Sequence, residues 1–161
     1  MATKRVPFVE IDGTPYADWW RERFAPRPDP FDSMRFYQRG RANIWVGTAD
    51  IGGLEATCMD AVGIHLLRIG RHMWKPTSTA IRTFGDVATI NAVDLDKDEM
   101  RAFLAGSDLE ICPDEARERH LSRGFVTVRY RGIALGCGEW HARGALASLI
   151  PASQQISDLN L

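Results

Sequence analysis

Cys137, Glu139 and His141 place a thiol, a carboxylate and an imidazole at alternate positions of one short stretch. On a β-strand the three side chains share a face. A cysteine nucleophile needs an imidazole within hydrogen-bond reach and a third group to orient that base. Side chains two apart along a strand are separated by nearly 7 Å, too far for direct pairing without strain. As metal ligands, Cys137 and His141 need at least one partner more, and Cys58 and Cys112 lie far away in sequence. No catalytic residue, metal or cofactor is therefore expected, and Cys137 reads as structural or inert. His65 and His72 read as packing or phosphate-side residues. The chain has no phosphate-binding glycine loop, dinucleotide fingerprint or nucleophile elbow.

Cations offer a different chemistry. The net charge is -1, so the protein as a whole is not a polycation. Between Ala61 and Val93, however, stand Arg68, Arg71, Lys75 and Arg82 with Asp86 the only acid, and between His120 and Pro151 stand Arg123, Arg129, Arg131 and Arg143 with Glu139 alone. The acids gather from Asp94 to Glu118 and in the first sixty residues. A basic face opposite an acidic one focuses an anionic ligand, although a solvated surface can segregate charge without binding anything.

The elements that must position these groups are legible in part. Gly124–Arg131 alternates, with Val126, Val128 and Tyr130 on one side and Thr127, Arg129 and Arg131 on the other, which predicts a half-buried strand. Arg131-Gly132 predicts a turn and Ile133–Trp140 the returning strand, with Ala145–Ile150 a third. Gly136 and Gly138 mark a bulge or a close approach, either to a ligand on a small barrel's binding face or at a barrel corner. Upstream, Lys75-Pro76-Thr77 predicts a helix entry ending at Gly85, so that unpaired backbone N–H groups and Arg71, His72 and Lys75 make a candidate phosphate site. Asp96 with Glu99 predicts a capping box, and Gly106 the helix stop. Short strands are expected at 33–38, 42–46, 54–58, 64–69, 91–95 and 109–112, a turn at 50–53, and a loop or solvated helical turn at 113–123. Near the N-terminus, Asp12-Gly13 closes a strand or loose arm. Thr14 is expected to cap a helix with Pro15 at its first position, carrying Tyr16, Trp19, Trp20 and Phe24, and Pro26, Pro28 and Pro30 form a stiff connector.

At 161 residues, 45% of them hydrophobic and 25% charged, the chain is long enough for one domain with a self-sufficient core. No apolar run reaches the roughly 18 to 20 residues needed to span a bilayer, so no membrane partner is expected. An odd number of scattered cysteines fits neither a disulfide framework nor a zinc ribbon, and a reducing cytoplasm is the expected compartment.

Three segments, VGIHLLRIGRHMWKPTSTAIRTFG, NAVDLDKDEMRAFLAGSDLEI and GFVTVRYRGIALGCGEWHARGALASLIP, together resemble the PUA-like RNA-binding domain. The form attached to Sun-type RNA 5-methylcytosine methyltransferases is the most similar, as are short archaeal proteins that carry the domain alone. The resemblance covers roughly 42–151 and implies an α+β fold, a PUA-like mixed-strand pseudobarrel with small flanking helices. It leaves 1–41 as an N-terminal helical extension and 152–161 as a tail. It implies a non-catalytic module that binds structured RNA, tRNA or rRNA, and acts in trans with an RNA-modifying enzyme as second partner. The alternative is a protein-interaction module that keeps the fold without RNA binding. The implied RNA-binding residues are Arg68, Arg71, His72, Lys75, Thr77, Arg129, Arg131, Trp140 and Arg143, in one strip where Trp140 either stacks on a base or is a core residue. Glu139 and Ala145–Ser148 depart from the pattern by removing positive charge. Nothing in the chain resembles the cofactor-binding glycine motif or catalytic cysteine motifs of those methyltransferases, so methyl transfer by that mechanism is not expected.

Overall fold

Period-two apolar runs form short strands, and a computed structural model, which describes residues 6–48, 50–51, 59–141 and 143–156, arranges them in two five-stranded sheets. The first is antiparallel throughout: β1 (Phe8–Ile11), β2 (Arg35–Arg39), β3 (Asn43–Gly47), β4 (Ile64–Ile69) and β5 (Trp74–Pro76), in that order. The second contains β6 (Ala92–Asp94), β7 (Leu109–Glu110), β8 (Gly124–Tyr130), β9 (Ile133–His141) and β10 (Ala145–Ser148), ordered β6-β8-β9-β10-β7. In this sheet β6 runs parallel to β8 and the other pairs are antiparallel. Four helices complete the α+β pseudobarrel among the described residues: α1 (Thr14–Phe24), α2 (Ser78–Phe84), α3 (Lys97–Leu104) and α4 (Pro113–Glu118). The expected strand at 54–58, and the second half of the turn at 50–53, lie outside the described residues.

Two principal apolar clusters hold the fold. Trp20 and Phe24 of α1 join Phe36, Ile44, Val46, Leu66, Ile81 and Phe125 in the first. Val126, Val128, Trp140 and Leu146 join Met100 and Phe103 of α3 in the second. The hairpin β8–β9 lies between them, and this corrects the half-buried strand. Phe125, Val126, Thr127 and Val128 are all buried, because alternate residues enter opposite cores. Val128 pairs with Gly136 and Arg129 with Ala134, so Leu135 is the extra residue of a bulge where the alternation breaks. The glycines of β9 serve packing. A Cβ at Gly136 would stand 2.5 Å from Ile150 Cδ1, and one at Gly138 2.8 Å from Leu146 Cδ1.

Helix entries follow local chemistry. The capping box of α3 forms as expected: Asp96 accepts from the Asp98 and Glu99 amides at 2.9 Å, and the Glu99 carboxylate accepts from Asp96 N–H. The α1 entry differs, since Gly13 is its N-cap and the Thr14 hydroxyl instead donates to Asp12. The α2 entry also differs. Strand β5 runs through Pro76, and Thr77 is the cap, accepting from Ala80 N–H at 3.1 Å. Segment 113–118 is helical, because Ala116 packs into the second core and Pro113 suits a first turn.

Candidate nucleic-acid interface

Strands β4 and β5 place Arg68 directly opposite Lys75. Beyond that pair the chain turns tightly at Gly70–Met73, where Gly70 N–H donates to Met73 C=O at 2.9 Å and puts Arg71 and His72 at the exposed tip. A Cβ at Gly70 would come within 2.8 Å of that carbonyl, so the turn needs glycine. The tip faces α1 and the start of β8 across a cleft of about 640 Å³, lined by Trp19, Arg23, Arg71, Trp74, Arg123 and Glu139, among others. A cleft of about 300 Å³ continues from it through Arg68 and Lys75, sharing Gly70, Met73, Phe125 and Glu139. A further one of about 260 Å³ shares Arg68 and Lys75 and runs past His65, Thr77 and Ser78 to Gln154. The three make one groove.

Its electrostatics are positive. Arg68, Arg71, Lys75 and Arg123 are exposed and make no ion pair among the described residues. Arg23 forms part of the wall. It donates to Phe125 C=O at 2.6 Å, to the Ser122 hydroxyl at 2.7 Å, and to Ser122 and Arg123 C=O at 2.9 and 3.1 Å. Those partners are all neutral, so its charge is uncompensated, and burial lowers its pKa below the ordinary arginine value. Glu139 is the only carboxylate lining the groove among the described residues. His65 stacks on Trp45 at 4.7 Å, and burial, followed by the Arg68 charge, lowers its pKa.

The structure thus gathers Arg68, Arg71, His72, Lys75 and Thr77 along one groove, but it separates the remaining expected residues from it. Trp140 is buried in the second core. The guanidinium of Arg129 is turned inward, bonded to Asp94 at 2.6 Å and to the carbonyls of Asp86 and Ala88. Arg131 lies over the Tyr130 ring in the hairpin turn, at the opposite end of β8 from Gly124. Arg143 is exposed between β9 and β10 and lines none of the three clefts. At the expected phosphate site, the N-terminus of the seven-residue α2, the Thr77 hydroxyl takes the Ala80 N–H and donates to His65 C=O. Trp19, Arg23 and Trp74 join the groove beyond the expected residues, with Trp74 standing between His72 and Lys75 in sequence, and Arg123 comes from the basic stretch between His120 and Pro151.

The nucleophile chemistry is absent from this arrangement. Cys137 is buried, and burial pushes its thiol up to about 12, which suppresses the thiolate. No group of three metal-ligating side chains occurs among the described residues, and no helix there is long and apolar enough to cross a membrane.

The mixed-strand pseudobarrel is consistent with a PUA-like fold. Comparison with known proteins agrees: residues 90–153 match the family model described as the methyltransferase RsmF PUA domain. Over 81 residues the chain is 33% identical to the ribosomal RNA small subunit methyltransferase F of Aeromonas salmonicida (strain A449), a match covering 50% of this chain and 16% of that protein. Residues 90–153 are thus similar to a PUA-like domain of the kind attached to Sun-type RNA methyltransferases, and the family model they match is that of this domain rather than of the catalytic one.

Proposed function

We propose that the protein is a non-catalytic RNA-binding module that takes structured RNA along the groove from Arg71 to Gln154 and presents it in trans to an RNA-modifying enzyme in the cytoplasm. The observation that carries this reading is the run of unpaired cations, Arg123, Arg71, Arg68 and Lys75, along connected clefts. Free guanidinium and ammonium groups at groove spacing neutralise successive phosphates, and counterion release then drives binding. The likeness to a ribosomal RNA methyltransferase supports ribosomal RNA over tRNA as the substrate class. In this reading 42–151 is the RNA-binding body and 1–41 an extension that completes its first cleft. Arg68, Arg71, His72, Lys75 and Thr77 belong to the interface, joined by Arg123.

Binding of small-subunit rRNA fragments is expected to weaken steeply with salt, each neutralised phosphate contributing about 0.7 to 0.9 to the logarithmic slope. Arg71→Glu with Lys75→Glu should weaken binding and flatten that slope by roughly 1.4 to 1.8, while Arg131→Glu should leave both unchanged. Titrations across a salt series measure this. Equal affinity of the double variant and the parent would place the interface elsewhere. No RNA binding at low salt would favour the protein-interaction alternative.

A further inference from the structure

We infer that the cleft between α1, the Gly70–Met73 turn and the start of β8 receives one unstacked nucleotide, its base against Trp74 and its phosphate against Arg71 and Arg123. This rests on the RNA-binding reading and adds the kind of RNA preferred: one with an unpaired base.

The cleft combines two features that a simple phosphate track does not need. The first is aromatic surface. Trp74, at the beginning of an edge strand, and Trp19, on α1, both line it and are only partly buried. Trp74 packs with its ring centroid 5.2 Å from that of Tyr16 and 6.3 Å from that of Trp19. The volume of about 640 Å³ lies in the range of small-ligand sites, roughly 300–1,000 Å³. The second feature is uncompensated positive charge. Arg71 and Arg123 stand unpaired at the rim, and Arg23 in the wall spends its donors on neutral oxygens. An aromatic face beside unpaired cations fits a nucleotide, which carries a π-face and a phosphate at fixed separation. A paired A-form helix hides its base faces in the stack and offers only backbone and groove edges, so it uses the cations and not the tryptophans. Trp19 lies outside the segment matched to the family model, so the cleft is built jointly by that segment's β8–β9 hairpin and the N-terminal half of the chain.

The test uses the full chain and two RNA hairpins closed by the same compact tetraloop and with equal numbers of phosphates, one with its stem paired to a blunt end and one with a single-stranded tail carrying 2-aminopurine. The tailed RNA is expected to bind about tenfold or more tightly, with quenching of 2-aminopurine emission on binding. Trp74→Ala should remove the advantage and the quenching while leaving affinity for the paired hairpin unchanged. Should Trp74→Ala fail to fold, abasic scanning of the tail against the parent protein reads the same contact: one position should lose about tenfold. Equal binding of the two hairpins with a flat abasic scan would overturn the nucleotide cleft while the RNA-binding function stands. Absence of binding to either hairpin at low salt would overturn both.

Discussion

Tryptophans at two positions of this chain have opposite surroundings. Trp140 is 7% exposed and packs with Val126, Val128 and Leu146, whereas Trp74 is half-buried at the end of an edge strand and lines a cleft. Removing a large core side chain forfeits its transfer energy and leaves a cavity. Trp140→Ala should therefore cost roughly 3–5 kcal/mol of stability in denaturant titrations, and the folded fraction should bind RNA like the parent. A stable Trp140→Ala protein with impaired RNA binding would return Trp140 to the interface. Arg129 follows the same logic. Its side chain is 17% exposed and committed to Asp94, so its charge is internal to the fold.

At the scale of elements, α1 and the residues that follow it are fastened to the start of β8 by Arg23 and to the segment leading into β6 by further hydrogen bonds. Asn91 Nδ2 donates to Arg23 C=O at 2.7 Å, Thr89 N–H to Phe24 C=O at 2.9 Å, and Arg27 N–H to Val87 C=O at 2.9 Å. These bonds set where Trp19 stands relative to the Gly70–Met73 turn. Arg23→Gln shortens the side chain and strips partners from the Ser122, Arg123 and Phe125 carbonyls. Losing hydrogen bonds to a charged donor of this kind should lower stability by about 1.5–3 kcal/mol. Amide exchange in α1 should rise more than in α3, which is held by its own capping box and the second core. Uniform change across both helices would show that Arg23 is not the fastening point.

Across the whole molecule, the first sheet and α1 close the cluster that also receives the inner face of β8. Trp20, Phe24 and Phe36 are at most 6% exposed within it. A chain beginning at residue 42 loses β1, β2 and α1 and uncovers that cluster on one side. It should melt without a sharp transition, as followed by near-ultraviolet circular dichroism, while the full chain unfolds cooperatively. A sharp transition in the shortened chain would mean that 42–156 carries a sufficient core alone. The PUA-like match at 90–153 covers the second sheet and α3, and the groove lies where that sheet meets β4–β5.

Local chemistry made several elements legible in the sequence. The Asp96–Glu99 capping box, the Arg131-Gly132 turn and the β8–β9 and β9–β10 pairings depend on neighbours a few residues apart, and the segments that resemble the PUA-like domain are strings of such local signals. Arg71, His72 and Lys75 could be grouped for the same reason, since one hairpin carries them all. Long-range packing decided the rest. The burial of Phe125 to Val128 on both faces needs a second core that alternation cannot report. The inward turn of Arg129 depends on Asp94 and on carbonyls more than forty residues away. Gly136 and Gly138 announced a close approach, but only the fold shows that Ile150 and Leu146 make it. The pairing of Trp19 with Trp74 and of Arg71 with Arg123 across one cleft joins residues about fifty apart in sequence. Side-chain type and local spacing determined which residues are cationic and which are apolar; tertiary packing determined which of them face the same space.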